Sequence, residues 1–289
     1  MSNFLVSSLM SASPRQANPP CAARSAPRGS RMLTALTTGW WLIALVGQAI
    51  FTAYLGALYG VASLHGDFQR WNDVMPRGWV RGEVTGNLVV AGHLAFAALV
   101  FASGALQLSG RVRQIVPRVH RWNGRFYLAA SATLAATGIV LVFSGRAPGD
   151  AFQHAGTALN ALLILAFGAM TLRQALLCRF ASHARWAMRL LLAVAGVWFF
   201  RIGLMAWIVL NRGPVGFDPD TFRGPTLTGL AFAQTLLPLA ILEGTLRAKR
   251  GTSTMSHWAM TAVLAMSCLL TLVGTAAATL LMWWPHIRH

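Results

Sequence analysis

GWWLIALVGQAIFTAYLGALYG, residues 39–60, runs for 22 residues without a charge. As a helix it would reach about 33 Å, enough to cross the roughly 30 Å hydrocarbon core of a bilayer. In lipid every backbone N–H and C=O must be satisfied within the chain, so such a run is a spanning helix. Six further runs of similar character follow at 87–109, 125–145, 151–173, 186–210, 226–246 and 258–284. Mean hydropathy is +0.54 and charged residues make up 11% of the 289 positions, against about 25% in soluble domains. The expected fold is therefore all-α: a polytopic membrane protein with seven transmembrane helices and a central four-helix bundle of spans two to five.

The formal charge of +17 invites a nucleic-acid reading, but its distribution argues against one. Arg15, Arg24, Arg28 and Arg31 precede span one. Arg111, Arg113, Arg118, Arg121 and Arg125 separate spans two and three. Arg173, Arg179, Arg185 and Arg189 separate four and five, and Arg247, Lys249 and Arg250 separate six and seven. Those 16 residues fall on one side, while six of the seven acids (Asp67, Asp73, Glu83, Asp150, Asp218 and Asp220) fall on the other. This is the positive-inside pattern. It implies a membrane protein with a cytoplasmic N-terminus and an external C-terminus, whose partner is the lipid bilayer and not nucleic acid.

Residues 1–38 read as a disordered basic cytoplasmic tail, rich in Ser, Ala, Pro and Arg. Its composition is transit-like, and a start at Met32 is an alternative. Residues 39–289 read as one transmembrane domain with its core at 87–210. The loops are short, so any chemistry must lie within the helices or at their ends. Pro117 suits the first turn of span three. Asp150 and Ser182 suit the N-caps of spans four and five, and Pro238 suggests a kink in span six. Trp71 and Trp79 suit an interfacial aromatic belt. Cys21, Cys178 and Cys268 have no evident pairing partner, so no disulfide is expected.

Four of the eight histidines, His93, His120, His154 and His183, fall one on each of spans two to five. By depth, His93 and His154 share an outer level, and His120 and His183 share an inner one. Diagonal pairs of neutral imidazoles can ligate haem iron from both sides. Two such pairs would stack two haems about 20 Å apart. Gly104, three turns after His93, and Gly138, five turns after His120, would give each macrocycle room. Ala158 and Ala161 flank the His154 face similarly. Arg201 lies 18 residues after His183 on the same face, about 27 Å further out, where a haem propionate would partner it. The competing account of these residues is structural: interfacial capping for the histidines and helix packing for the small residues. Gln107, Asn160 and Gln234 read as interhelical contacts or as parts of a quinone or substrate site. Arg121, Arg125, Arg185 and Arg189 read as topology and head-group residues, and Glu243 as an acid solvated at the interface.

The block HRWNGRFY at 120–127 is the most specific part of a longer pattern. With His93, Gly104 and Gln107 before it, and HARWAMR at 183–189 and Arg201 after it, it resembles the bacterial membrane-protein family called domain of unknown function 2306. The resemblance covers about 50–210 and implies no activity. A second resemblance is to transmembrane two-haem b-type cytochromes, which also carry one histidine on each of four successive helices, paired first with third and second with fourth. It is one of pattern, and it implies up to two b-type haems and a role in carrying electrons across the membrane as a transmembrane oxidoreductase, with a quinone or small redox partner. Because His120 and His183 lie close to their helix starts, the outer pair is the better placed. The competing expectation is a non-redox membrane protein, a small-molecule transporter or an accessory or sensor subunit, with a polar intramembrane site around Arg201.

Overall fold

A computed structural model describes residues 28–287. The described chain is helical, apart from turns and one isolated bridge between Asp218 and Arg223. Helix α1 (Arg28–Leu55) continues through a π-helical stretch (Gly56–Val61) into α2 (Ala62–Leu64), and a 3₁₀ turn (Phe68–Asp73) caps it. Then come α3 (Val84–Leu108), the short α4 (Gly110–Ile115), α5 (Pro117–Phe143) and α6 (Ala151–Leu176). The fifth span is two helices, α7 (Phe180–Val194) and α8 (Gly196–Asn211), set at 53°. Helices α9 (Pro225–Arg250) and α10 (Thr254–Ala277) follow, and α10 runs on through a second π stretch (Ala278–Trp283) into α11 (Trp284–Ile287). Six helices are long and apolar enough to cross a membrane, or seven when the bent pair is counted as one span.

Only 22–39% of the most apolar window of each of those six spans is buried inside the protein. The remainder, including Leu42, Val46, Phe143 and Leu280, faces outward. A soluble helix would put polar residues there, so this surface is made for lipid.

Several helix ends have the chemistry expected of them, and others do not. Pro117 opens α5. Asp150 accepts the backbone N–H groups of Phe152 and Gln153 at 2.9 Å each and caps α6. The Gln153 N–H foremost holds the Asp150 carboxyl below the usual carboxylate range. Ser182 caps nothing: α7 starts two residues earlier at Phe180, after Arg179. Helix α9 continues through Pro238 without a break. Helix α1 starts at Arg28, so residues 28–38, read as tail, are helical, and Leu33 is buried against Ala248 and Leu264. The rest of the expected tail lies outside the described residues. Cys178 and Cys268 are free thiols, and Cys21 also lies outside the described residues.

Spans two to five follow one another in space through α3–α5, α5–α6 and α6–α7 contacts. Beyond Ala195 the fifth span leaves this row. Helix α8 turns between α9 and α10, and α1 packs on α10 and α3. The buried centre thus draws on almost every span: Phe51 and Tyr54 from α1, Val100 from α3, Tyr127 from α5, Trp198 from α8 and Trp283 from the second π stretch. Gly274 lets α10 approach this close, since a Cβ there would collide with the Ile202 carbonyl of α8.

Asn160 explains the bend. Its side-chain amide donates to the Ala193 carbonyl at 2.8 Å and to Thr235 Oγ1 at 2.6 Å. A carbonyl near the end of α7 thus accepts a sideways bond from α6, and a side chain inserted at the helix ladder is a recognised origin of sharp kinks. Gly196 provides the space, because a Cβ there would stand 2.8 Å from the Asn160 amide nitrogen.

At the end opposite the arginine-rich loops, the segment after α2 is a folded cap. Trp71, expected at a lipid interface, is buried among Tyr59, Phe68 and Trp79. Arg146 locks this cap onto the bundle: its guanidinium reaches Glu83 Oε2 (2.5 Å), Asn87 Oδ1 (3.1 Å) and the Arg77 carbonyl (3.1 Å).

Candidate functional site

The two histidines expected to pair at the outer level point to different partners. His93 Nδ1 lies 2.9 Å from Thr137 Oγ1 on α5. Thr137 gives its own proton to the Thr133 carbonyl, so His93 is the donor and its Nε2 keeps the lone pair. Gly138 makes room for this ring, since a Cβ there would meet His93 Cε1 at 3.4 Å. His154 Nε2 lies 3.3 Å from the Ala147 carbonyl in the loop before α6. A carbonyl only accepts, so that Nε2 carries the proton and is engaged. The two rings of the outer level thus take separate hydrogen-bond partners.

The inner pair is closer to the expected arrangement. His183 Nδ1 donates to the Thr171 carbonyl at 3.0 Å, which leaves Nε2 as the free lone pair. A backbone carbonyl on the other ring nitrogen is how ligating imidazoles are commonly oriented. His120 Nδ1 is buried with no partner, and its ring is near enough to Arg113 and His183 to feel their charges. Gln107 Nε2 holds the His120 backbone carbonyl at 3.1 Å, so Gln107 is an interhelical clasp.

Space for a macrocycle is another matter. Gly104 faces Tyr127 and Leu191, which fill the gap it leaves. A small, partly open cavity beside the bend, bounded by Trp40, Gln48, Gly104, Tyr127, Ala195 and Phe199, holds about 20 Å³. That is room for about one water, against roughly 300–1,000 Å³ for a typical ligand pocket. None of the four histidines lines it. This cavity has no room for a macrocycle. Among the described residues no group of three or more His, Cys, Asp or Glu could hold a metal ion.

Three ion pairs among the described residues were not anticipated, one of them the exposed contact of Arg77 with Glu83 at 3.6 Å. Arg189 Nε and Nη2 both reach Glu243 Oε1, at 2.7 and 2.6 Å, joining α7 to α9. The guanidinium also lies over Trp186, 4.6 Å from the ring centre. Arg189 is thus a helix-to-helix contact and Glu243 its partner, in place of head-group and solvent contacts. Another is Arg146 with Glu83, described above. Each pair joins residues of similar depth, so their levels were legible, but which arginine would meet which acid was not.

Arg201 lies six residues beyond the bend, on α8. Its guanidinium carbon is 5.6 Å from the Phe51 ring centre, and its charge acts on Tyr54 and Tyr59. It thus faces α1 and the first π stretch. Its Nε is buried with no hydrogen-bond partner, as are Tyr54 Oη and Trp283 Nε1. Trp283 packs against Phe51 at 5.2 Å and Tyr54 at 6.1 Å between ring centres. His286 meets Tyr54 edge-on at 5.9 Å and is itself tied to the Met282 carbonyl. Unpartnered donors from three spans therefore share one aromatic cluster, and among the described residues no carboxylate pairs with Arg201. The charge made Arg201 conspicuous in the sequence. Tyr54 and Trp283 carried no signal there, since each stands in an apolar run where packing is the ordinary role of an aromatic ring.

No curated protein and no solved structure matches the chain. The family model described as "Predicted membrane protein (DUF2306)" matches residues 90–237, just over half of the 289. The matched region contains the four histidines and Arg201, while Tyr54 and Trp283 fall outside it. This chain is a multi-pass membrane protein and belongs to that family.

Proposed function

We propose that this is a ligand-binding integral membrane protein, a small-molecule transporter or sensor subunit, with its site built on Arg201 beside the broken fifth span. One observation carries the reading: a guanidinium nitrogen within a span has no acceptor while neighbouring Tyr54 and Trp283 also have unpartnered donors. A charged side chain at the centre of a spanning helix costs about 3 kcal/mol on insertion scales and marks a functional site by default. Discontinuous helices near the midplane are also where transporters place their substrate sites, and α7 and α8 meet in the middle of the fifth span. The arginine bias supports placing the Arg201 cluster in the periplasmic half of the bacterial inner membrane, with the N-terminus in the cytoplasm and the C-terminus in the periplasm.

The test is solute access. In a chain whose Cys21, Cys178 and Cys268 are replaced by Ser, the Arg201→Cys variant is exposed in proteoliposomes to a membrane-impermeant methanethiosulfonate. Labelling from the side opposite the arginine-rich loops is expected. A folded Arg201→Cys protein whose introduced thiol stays unreactive from both sides would remove the reading.

The inner histidines favour a second reading, a b-type haem carrying electrons to or from a quinone or small redox partner. Its support is His183, whose oriented ring keeps Nε2 free, beside His120 with an unpartnered Nδ1. The close packing around Gly104 weighs against it. A low-spin b-type spectrum lost in His183→Ala but kept in His154→Ala would carry this reading. A colourless, folded protein from haem-replete cells would end it.

A further inference from the structure

We infer that the Arg201 cluster binds a small lipophilic monocarboxylate, its carboxylate on Arg201, Tyr54 and Trp283 and its apolar body against the surrounding rings. This deepens, and rests on, the reading of Arg201 as a ligand site.

The polar chemistry of the cluster is one-sided. Arg201 Nε and Trp283 Nε1 can only donate, and Tyr54 Oη has a proton to give. All three are buried without a partner. Three unpartnered donors in one aromatic cluster call for an acceptor, and a guanidinium is shaped to grip two oxygens of one group at once. A neutral acceptor, such as a quinone carbonyl, would satisfy the hydrogen bonds but leave the cation uncompensated in a low-dielectric region. A monoanion satisfies both. A dianionic phosphate would replace one uncompensated charge by another, which burial penalises equally.

The walls select the rest of the ligand. Phe51 lies against the guanidinium, and Trp283 packs on both Phe51 and Tyr54. Such walls accept an apolar, preferably aromatic, body and exclude a strongly hydrated one.

Depth selects the source. Arg201 is ten residues from Asn211, the end of α8, which is about 15 Å along the helix axis. That is about half the hydrocarbon thickness. A bilayer phospholipid would have to draw its headgroup that far from the interface to reach Arg201, whereas a free acid has no such tie. Both π stretches end near this site, with Tyr59 in the first and Trp283 closing the second. Single π turns recur at functional sites.

The experiment uses the full chain in phosphatidylcholine nanodiscs, with 2-naphthoate as probe and 2-naphthamide as its neutral counterpart, followed by equilibrium dialysis. The acid is expected to bind at one site about tenfold or more tighter than the amide, since only the acid makes charge-assisted hydrogen bonds. Arg201→Gln should abolish that preference. Tyr54→Phe and Trp283→Phe, each removing one donor and keeping an aromatic ring, should each weaken the acid and leave the amide unchanged. If Arg201→Gln does not fold, Arg201→Lys should keep a preference reduced below that of the native protein. Equal binding of acid and amide, or a preference that survives Arg201→Gln, would overturn the inference. Displacement of 2-naphthoate by phosphatidylglycerol placed in the disc would overturn the assignment to a free acid in favour of a bilayer headgroup. If no acid binds while the Arg201→Cys thiol is still reached by the impermeant reagent, the ligand class is wrong and the site stands. If that thiol is sealed as well, both fall.

Discussion

Asn160 on α6 donates to the Ala193 carbonyl on α7 at 2.8 Å, at the place where the fifth span turns by 53°. The bond sits where the direction of α8, and with it the side of the protein that Arg201 faces, is set. Asn160→Leu leaves that carbonyl without its partner in a membrane interior. The expected loss of stability is about 1 kcal/mol, the scale of interhelical hydrogen bonds in membranes. The change should also let the span straighten. Spin labels at Phe180 and Leu210, both exposed, should then move about 5 Å further apart by helix geometry. An unchanged distance would show that the bend is held by something other than Asn160.

Gly274 and Gly39 make a matched pair of tests. A Cβ at Gly274 would collide with backbone of α8, whereas one at Gly39 meets nothing within 4 Å. Gly274→Ala should destabilise the folded protein by about 1–3 kcal/mol through overpacking. Gly39→Ala should be neutral or slightly stabilising, because alanine is the better helix former. Equal melting behaviour in detergent for the two variants would contradict the close α8–α10 contact.

Arg189 and Glu243 should be energetically coupled. Their side chains are 18% and 35% exposed, so solvent screens the pair in part and the coupling should be about 1 kcal/mol. A double-mutant cycle with Arg189→Met and Glu243→Leu measures it. Either single change should cost more than half of what the double change costs, since each leaves one charge unpaired. Simple additivity would mean that the two residues act independently.

Arg146 should matter more than its partner Glu83. The Arg146 side chain is 3% exposed and serves three acceptors, while Glu83 is 47% exposed. Arg146→Met is expected to cost about 2–3 kcal/mol, mainly through the acceptors it strands. It should also open residues 66–82 to limited proteolysis. Glu83→Gln should do little of either. The reverse order of sensitivity would place the lock elsewhere.

Arg201 and the four histidines were visible in the sequence because a polar residue in an apolar run stands out locally. Their partners were not. Depth alone pairs His93 with His154, yet His93 bonds Thr137 and the ring of His154 turns to its own loop. Helical spacing gives the depth and face of a residue on its own helix. It says nothing about how far the neighbouring helix is rotated, and that rotation selects the contact. At the inner level, His183 is turned to the Thr171 carbonyl while His120 Nδ1 has no partner.

The sequence by itself determined that this chain spans a membrane as a set of helices, where most of those helices lie, and which ends carry the positive charge. These properties follow from transfer free energy and backbone satisfaction, which act residue by residue and need no knowledge of neighbours. Only the tertiary structure decided that the fifth span breaks at Ala195, that Arg189 meets Glu243, and that Arg201 shares an unpartnered cluster with Tyr54 and Trp283. Each of those depends on the approach and rotation of helices far apart in the chain. That geometry is set by small side chains and single hydrogen bonds at helix crossings, since lipid offers apolar faces no preference for one another.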